Sequence, residues 1–252
     1  MDGLSIRRRI ALDIARSMRK SQEEEHPLRQ LFWECTLRCN LRCQHCGSDC
    51  KQVAATPDMP KEDFFKVLDS IAAKTDPHKV FVIISGGEPT MRADLEECGK
   101  GIYSRGFPWG MVTNGFGMTA ERFSRLLGAG LHSMTVSLDG LEENHDWLRG
   151  REGSFTRAVE TIRMAVRSGI AFDVVTCVNR RNYPRLPQLK EFLIGLGLKE
   201  WRLFSIFPQG RAALNPDLQL PPEMFRGMLD FIRETRKEGR IKAGYGCEGF
   251  LG

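Results

Sequence analysis

Two patterns of apolar residues alternate along the chain. Short apolar and β-branched runs predict strands at 29–36 (RQLFWECT), 79–85 (KVFVIIS), 108–115, 132–140, 170–179 and 199–207. Between them, apolar residues recur at helical spacing. The segment 60–74, with Phe64, Val67, Leu68 and Ile71 on one face, is the clearest, and 93–106, 119–130, 154–169, 183–197 and 221–239 follow. Asp94 or Ala93, Thr119 and Ser154 are the expected helix caps, and the paired prolines at 221–222 open the last helix. The result is six β–α units of about 35 residues each, the alternation of a parallel sheet with helices outside it. A closed eight-unit barrel takes about 250 residues for the barrel alone. The pattern therefore predicts an α/β fold, a partial (β/α)6 TIM-like barrel with an N-terminal helix. A doubly wound open sheet is the competing architecture. The continuous apolar strands further suggest a sheet buried on both faces.

Ahead of the first strand, residues 4–24 read as a loosely amphipathic helix. Leu4, Ile10, Leu12, Ile14, Ala15 and Met18 lie against arginines on the other side. A helix packed on the outside of the domain is the economical reading, and a membrane-surface or partner helix is the other. The expected organisation is an N-terminal helical segment at 1–28, a core domain at 29–240 and the start of a C-terminal extension at 241–252.

Composition narrows the classes. A chain of 252 residues, 41% hydrophobic and 27% charged, suits one soluble globular domain. The net charge of +5 comes without a long basic run, so no nucleic-acid partner is expected. No apolar run approaches the roughly 20 residues of a membrane span, and no secretory signal is visible. A cytoplasmic protein is expected. There, clustered thiols are metal ligands more often than disulfides.

The unusual residues follow the strands. Five of the eight cysteines lie in ECTLRCNLRCQHCGSDC, 34–50, after the first strand. SGGEPT follows the second, TNG the third, SLDG the fourth, VNRRN the fifth and SIFPQGRA the sixth. In parallel α/β folds these loops share one rim, where sites form. Cys39, Cys43 and Cys46, spaced C-x3-C-x2-C, can supply three thiolates to an iron–sulfur cluster and leave one iron open. A structural zinc site that recruits Cys35 or Cys50 is the alternative. Cys98 and Cys177 are expected in core packing.

The C-x3-C-x2-C loop after the first strand, with SGGEP after the second, resembles the radical S-adenosylmethionine (SAM) superfamily over about residues 29–240. The resemblance implies that Cys39, Cys43 and Cys46 bind a [4Fe–4S] cluster whose fourth iron is chelated by SAM. It implies reductive cleavage of SAM to a 5′-deoxyadenosyl radical that abstracts hydrogen from substrate. Gly86, Gly87 and Glu88 match the family's GGE motif, which meets the amino group of SAM. Ser137 and Arg149 match the pair that holds its carboxylate in the peptide-modifying branch. His45 stands where an aromatic residue faces the adenine. Asn114 resembles a rim residue near SAM or substrate, or forms a turn, and Asp139 has the same two readings. Val178 and residues 205–208 would border the adenine.

Cys247, in GYGCEGFLG, resembles the first ligand of an auxiliary cluster in members with a SPASM extension, and the chain reads as truncated there. That pattern implies a peptide or protein substrate and an electron donor such as flavodoxin or ferredoxin. A small molecule or nucleotide-derived cofactor precursor is the alternative substrate. A non-catalytic zinc or electron-transfer protein is the alternative from another class.

Overall fold

The computed structural model describes residues 5–246, so Cys247 and the segment after it lie outside the described residues. Seven strands form one parallel sheet in chain order: β1 (Gln30–Thr36), β2 (Phe81–Gly86), β3 (Trp109–Thr113), β4 (Leu131–Ser137), β5 (Ala171–Val178), β6 (Glu200–Ser205) and β7 (Lys242–Tyr245). Among the described residues, no pairing joins β7 back to β1, so the barrel stays open. The helices are α1 (Ile6–Glu25), α2 (Lys61–Ala72), α3 (Leu95–Ser104), α4 (Ala120–Gly128), α5 (Glu142–Arg149), α6 (Ser154–Ser168), α7 (Leu186–Gly195) and α8 (Pro222–Glu238). The six expected units are present. The sheet runs on through β7, past residue 240, because Lys242–Tyr245 continues the parallel register on β6.

The core lies between the outer face of the sheet and the helices. Trp33, Ile84, Trp109, Val136, Val174 and Trp201 point outward from the strands onto Leu68, Ile102, Leu126, Ile162, Leu193 and Ile232 of the helices. Trp33 stacks on Phe64 with ring centroids 3.9 Å apart, which fixes α2 against β1. Fully burying each large side chain stabilises by about 1.5–3 kcal/mol.

The inner face differs from the expected doubly buried sheet. Along β2, buried Val82 and Ile84 alternate with half-buried Phe81 and Ile83. The half-buried set lines an open bore of about 650 Å³ with Gln30, Phe32, Thr135, Asp173 and Arg202. An apolar run in a strand does not reveal whether its second face is covered, because both faces of an open barrel carry apolar residues.

Two local features also differ. Thr119 caps α4 as expected, accepting from the Arg122 N–H, and Asp94 sits at the cap of α3. At α6, however, Gly153 occupies the cap position and Ser154 is the first helical residue. Asp146 of α5 satisfies that terminus instead, accepting from the N–H groups of Gly153 and Phe155 and from Ser154 Oγ, each at 2.7 Å. The helix α5 itself was not anticipated, and it carries Arg149 to the rim.

Candidate active site at the C-terminal rim

The cysteine loop leaves β1 and folds back over the strand ends. Cys39, Cys43, Cys46 and Cys50 line one cavity of about 140 Å³. All described cysteines are free thiols. Cys35 lies apart from the cavity, in the main core with Cys98. Burial pushes the thiol of Cys39 up to about 12 and that of Cys50 up to about 11, and raises Cys43 as well.

Three separate segments hold the loop in shape. The Cys39 N–H donates to the Lys51 carbonyl at 2.7 Å. Gln44 donates its N–H to Leu148 O at 2.8 Å and its side-chain amide to Trp147 O at 2.7 Å, which ties the loop to α5. Arg211, after β6, makes the most contacts. Its Nε donates to Cys43 O at 2.7 Å, and its Nη1 donates to Cys50 O at 3.0 Å and to Asp49 Oδ1 at 2.7 Å. Its own N–H donates to Cys46 O at 2.9 Å. This approach requires Gly210, where a Cβ would stand 2.3 Å from Gly47 O and 2.5 Å from Cys46 O.

The glycines after β2 are explained by the same closeness. A Cβ on Gly86 would lie 2.2 Å from Thr36 O, and one on Gly87 would lie 2.3 Å from Arg38 O. The Gly87 and Glu88 N–H groups donate to those two carbonyls at 2.8 and 2.9 Å. The motif therefore stitches β2 to the start of the cysteine loop and presents backbone to the cavity. Glu88 is buried, with four donors on its carboxylate. Oε1 accepts from Thr90 N–H (3.1 Å), Thr90 Oγ1 (2.8 Å) and Thr113 Oγ1 (2.7 Å), and Oε2 accepts from Asn114 N–H (2.7 Å). Burial pushes its carboxyl above the usual range, against the pull of those donors. Asn114 in turn bridges to Asn40 Oδ1 at 2.8 Å and approaches Cys39 Sγ at 3.9 Å.

Opposite them, α5 delivers Arg149. The side chain is buried, and its Nε donates to Asp139 Oδ2 at 2.6 Å. Its Nη1 reaches Cys43 Sγ at 3.7 Å. Asp139 is fully buried, and its Oδ1 accepts the Cys177 N–H at 2.8 Å. Burial would raise Asp139, but the charge of Arg149, helped by the neighbouring imidazoles and the Cys177 N–H, outweighs it and holds the carboxyl below its usual range. Asp139 is thus the anchor of Arg149 rather than a turn former. The ligand atoms of His45, Asp139 and Cys177 lie within 4.8 Å of one another. The carboxylate of that trio is already engaged by Arg149 and the Cys177 N–H, which leaves little for a metal ion. Burial, followed by the charge of Arg149, drops His45 to about 4, so its imidazole is neutral at pH 7. Its Nδ1 is buried without a hydrogen-bond partner.

The structure brings most of the anticipated residues together. Cys39, Cys43, Cys46, His45, Gly86, Gly87, Glu88, Asn114, Ser137 and Arg149 all line the one cavity. Val178 does not join them, because its side chain points outward into the core. Its neighbour Cys177 takes the inner face of β5, half-buried, and packs as expected against apolar side chains, here the small cluster of Leu148, Ile206, Ala212 and Leu218. Arg211 and Gln44 escaped the sequence reading because a lone arginine or glutamine in a loop carries no signal of the carbonyls it will meet.

The donor set fits an iron–sulfur cluster beside an amino acid. Soft thiols suit iron, a guanidinium anchored on one edge suits a carboxylate, and closely held glycine backbone can accept from an ammonium. No helix among the described residues is long and apolar enough to cross a membrane.

Comparison with known proteins agrees with this geometry. The chain is 29% identical over 220 residues to the AdoMet-dependent heme synthase of Methanosarcina barkeri, which covers 87% of this chain and 62% of that protein. It is 26% identical over 217 residues to the PqqA peptide cyclase of Rhizobium meliloti, covering 86% and 56%. The chain therefore spans about three-fifths of the curated relatives it matches. Streptococcus suis SuiB bound to S-adenosylmethionine shares the fold with a TM-score of 0.69 at 16% identity, covering 99% of this chain and 58% of that one. A sequence profile of the radical SAM superfamily matches residues 33–193. The chain belongs to the radical SAM superfamily, whose enzymes use a [4Fe–4S] cluster and S-adenosylmethionine.

Proposed function

We propose that Cys39, Cys43 and Cys46 hold a [4Fe–4S] cluster and that SAM binds beside it. In this reading the enzyme abstracts hydrogen from a peptide or protein substrate that enters through the open bore, in the cytoplasm, with electrons from a flavodoxin- or ferredoxin-type donor. One observation carries the reading: three thiols, the Gly86–Gly87 backbone and the Arg149 guanidinium face a single cavity.

Each residue has a separate task. Asp139 fixes Arg149 through Nε, so the Nη edge is presented ready to receive a carboxylate. The Gly86–Gly87 backbone offers carbonyl acceptors for an ammonium, and Ser137 adds a hydroxyl at the end of β4. Neutral His45 offers a flat face to a purine. Glu88 acts by holding the backbone of Asn114 and the β2 loop in place. When bound, the cluster and SAM supply the reductive cleavage that generates the 5′-deoxyadenosyl radical. The open bore suits a large substrate. A tetrapyrrole substrate is the second reading, favoured by the heme synthase that aligns over 87% of the chain.

The test is anaerobic reconstitution with iron and sulfide, followed by SAM and dithionite. Wild type should release 5′-deoxyadenosine, Cys43→Ala should lose both product and bound iron, and Cys50→Ala should keep the cluster. Unchanged iron and sulfide in Cys43→Ala would sink the assignment. A several-fold rise in product on addition of an iron porphyrin, with none from peptides, would favour the tetrapyrrole.

A further inference from the structure

We propose that α1 is a membrane-surface helix that docks this protein on an anionic lipid bilayer. Of its described side chains only those of Leu12 and Ala15 are even half-buried. Ile6, Ile10, Ile14 and Met18 are 77, 55, 55 and 60% exposed. The expected packing of this helix on the domain is therefore absent. A freestanding helix of this length is marginal in water, because most helical stability in proteins comes from packing an apolar face. The sequence supplies such a face, and within the described structure nothing covers it.

The charges indicate what does. At 100° per residue, Ile6, Ile10, Ile14 and Met18 share one side with Arg7 among them, while Arg8, Arg9, Arg16, Arg19 and Lys20 share the other with the half-buried Leu12. Among the described residues, Arg16, Arg19 and Lys20 pair only within the helix, at 3.3–3.9 Å. Arg7, Arg8 and Arg9 have no acidic partner among the described residues. The order of charge also runs against the helix dipole, with arginines at the N-terminus and Glu23, Glu24 and Glu25 at the C-terminus. Such an arrangement weakens an isolated helix and concentrates positive potential at one end. An anionic bilayer meets both needs: the isoleucines enter the acyl boundary, and the arginines reach the headgroup phosphates.

A second copy of the chain fits less well. The ridge repeats every four residues and turns about 40° per step, whereas a coiled-coil seam alternates three and four. The helix also lacks the aromatic anchors common at protein hot spots. Docking would leave the site accessible, because α1 joins β1 at its N-terminal end, away from the rim.

Sedimentation of the reconstituted chain with sucrose-loaded vesicles tests this. Binding should be strong to phosphatidylcholine vesicles containing phosphatidylglycerol, fall with salt, and be weak to phosphatidylcholine alone. The double variant Ile10→Asp/Ile14→Asp should lower partitioning about tenfold or more, and Arg8→Glu/Arg9→Glu should remove the preference for anionic lipid. Unchanged iron content would show that both variants fold. Equal binding to both vesicles, or no loss in either variant, would overturn the proposal. So would a dimer that Ile10→Asp dissociates, which would assign the stripe to a second copy.

Discussion

The two ends of the bore are built in opposite ways. At the C-terminal rim, charges are buried and closely paired: Asp139 with Arg149, and Glu88 with four donors. In the lower bore, Arg202 and Asp173 pair beside Thr135 with the arginine side chain 44% exposed, and Phe32 stands 63% exposed. The same strands run through both regions, so the sheet alone does not explain the contrast. The loops do. They fold over the rim and surround its polar groups with partners, while no loop among the described residues covers the lower bore. On the proposed function, rigidity is thereby concentrated where a reactive group must be placed, and space is left where a substrate would enter.

The largest effect should come from the buried pair. Asp139→Asn leaves the Arg149 guanidinium buried without a counter-charge. Breaking one side of a buried pair costs about 3–5 kcal/mol, so urea unfolding should show a loss of that order. The double variant Asp139→Asn/Arg149→Met should recover much of it, because no isolated charge remains. A loss below about 1 kcal/mol in the single variant would place the pair among ordinary surface bridges.

Much of the rim could be read from the chain because it depends on local motifs at strand ends. The C-x3-C-x2-C spacing and the SGGEP run each sit directly after an apolar strand, and strand order alone brings them together. What escaped depends on contacts between distant segments. The helix α5, EENHDWLR, has a single fully buried apolar residue, Leu148, and so shows no helical stripe, yet it positions both Arg149 and the Asp146 cap of α6. The strand β7 is four residues, KAGY, and exists through pairing with β6. Asp139 in SLDG had an even claim to being a turn former until its burial against Arg149 was visible. Val178, expected beside the adenine, turns outward because strand alternation, correctly phased, sends it into the main core and its neighbour Cys177 inward.

A second, smaller effect should come from Arg211, which joins the loop after β6 to the cysteine loop. Arg211→Gln removes charge-assisted bonds to Cys43 O, Cys50 O and Asp49, while the backbone bond to Cys46 O remains. A hydrogen bond to a charged group is worth about 1.5–3 kcal/mol, and partial solvation of the freed carbonyls should bring the total loss to the lower part of that range. The effect should be local. Hydrogen exchange should quicken for the amides of residues 43–50 and leave those of α8 unchanged. Uniform quickening across the sheet would mean that Arg211 supports the whole fold rather than the loop.

The smallest effect should come from the lower bore, and its smallness is the point. Arg202→Gln removes the ion pair with Asp173 and the contact with Thr135 Oγ1 at 3.0 Å. The arginine is substantially exposed, so screening reduces the pair to about 0–1 kcal/mol. Urea unfolding should scarcely move, although the chemical bond count lost is similar to that in Asp139→Asn. Asp173, only 14% exposed, keeps Thr135 as a donor at 2.7 Å and some contact with solvent, so its charge is not left without a partner. A loss as large as that of Asp139→Asn would show that the lower bore is as preorganised as the rim. In that event the open space would be a rigid socket shaped for one ligand instead of a vestibule.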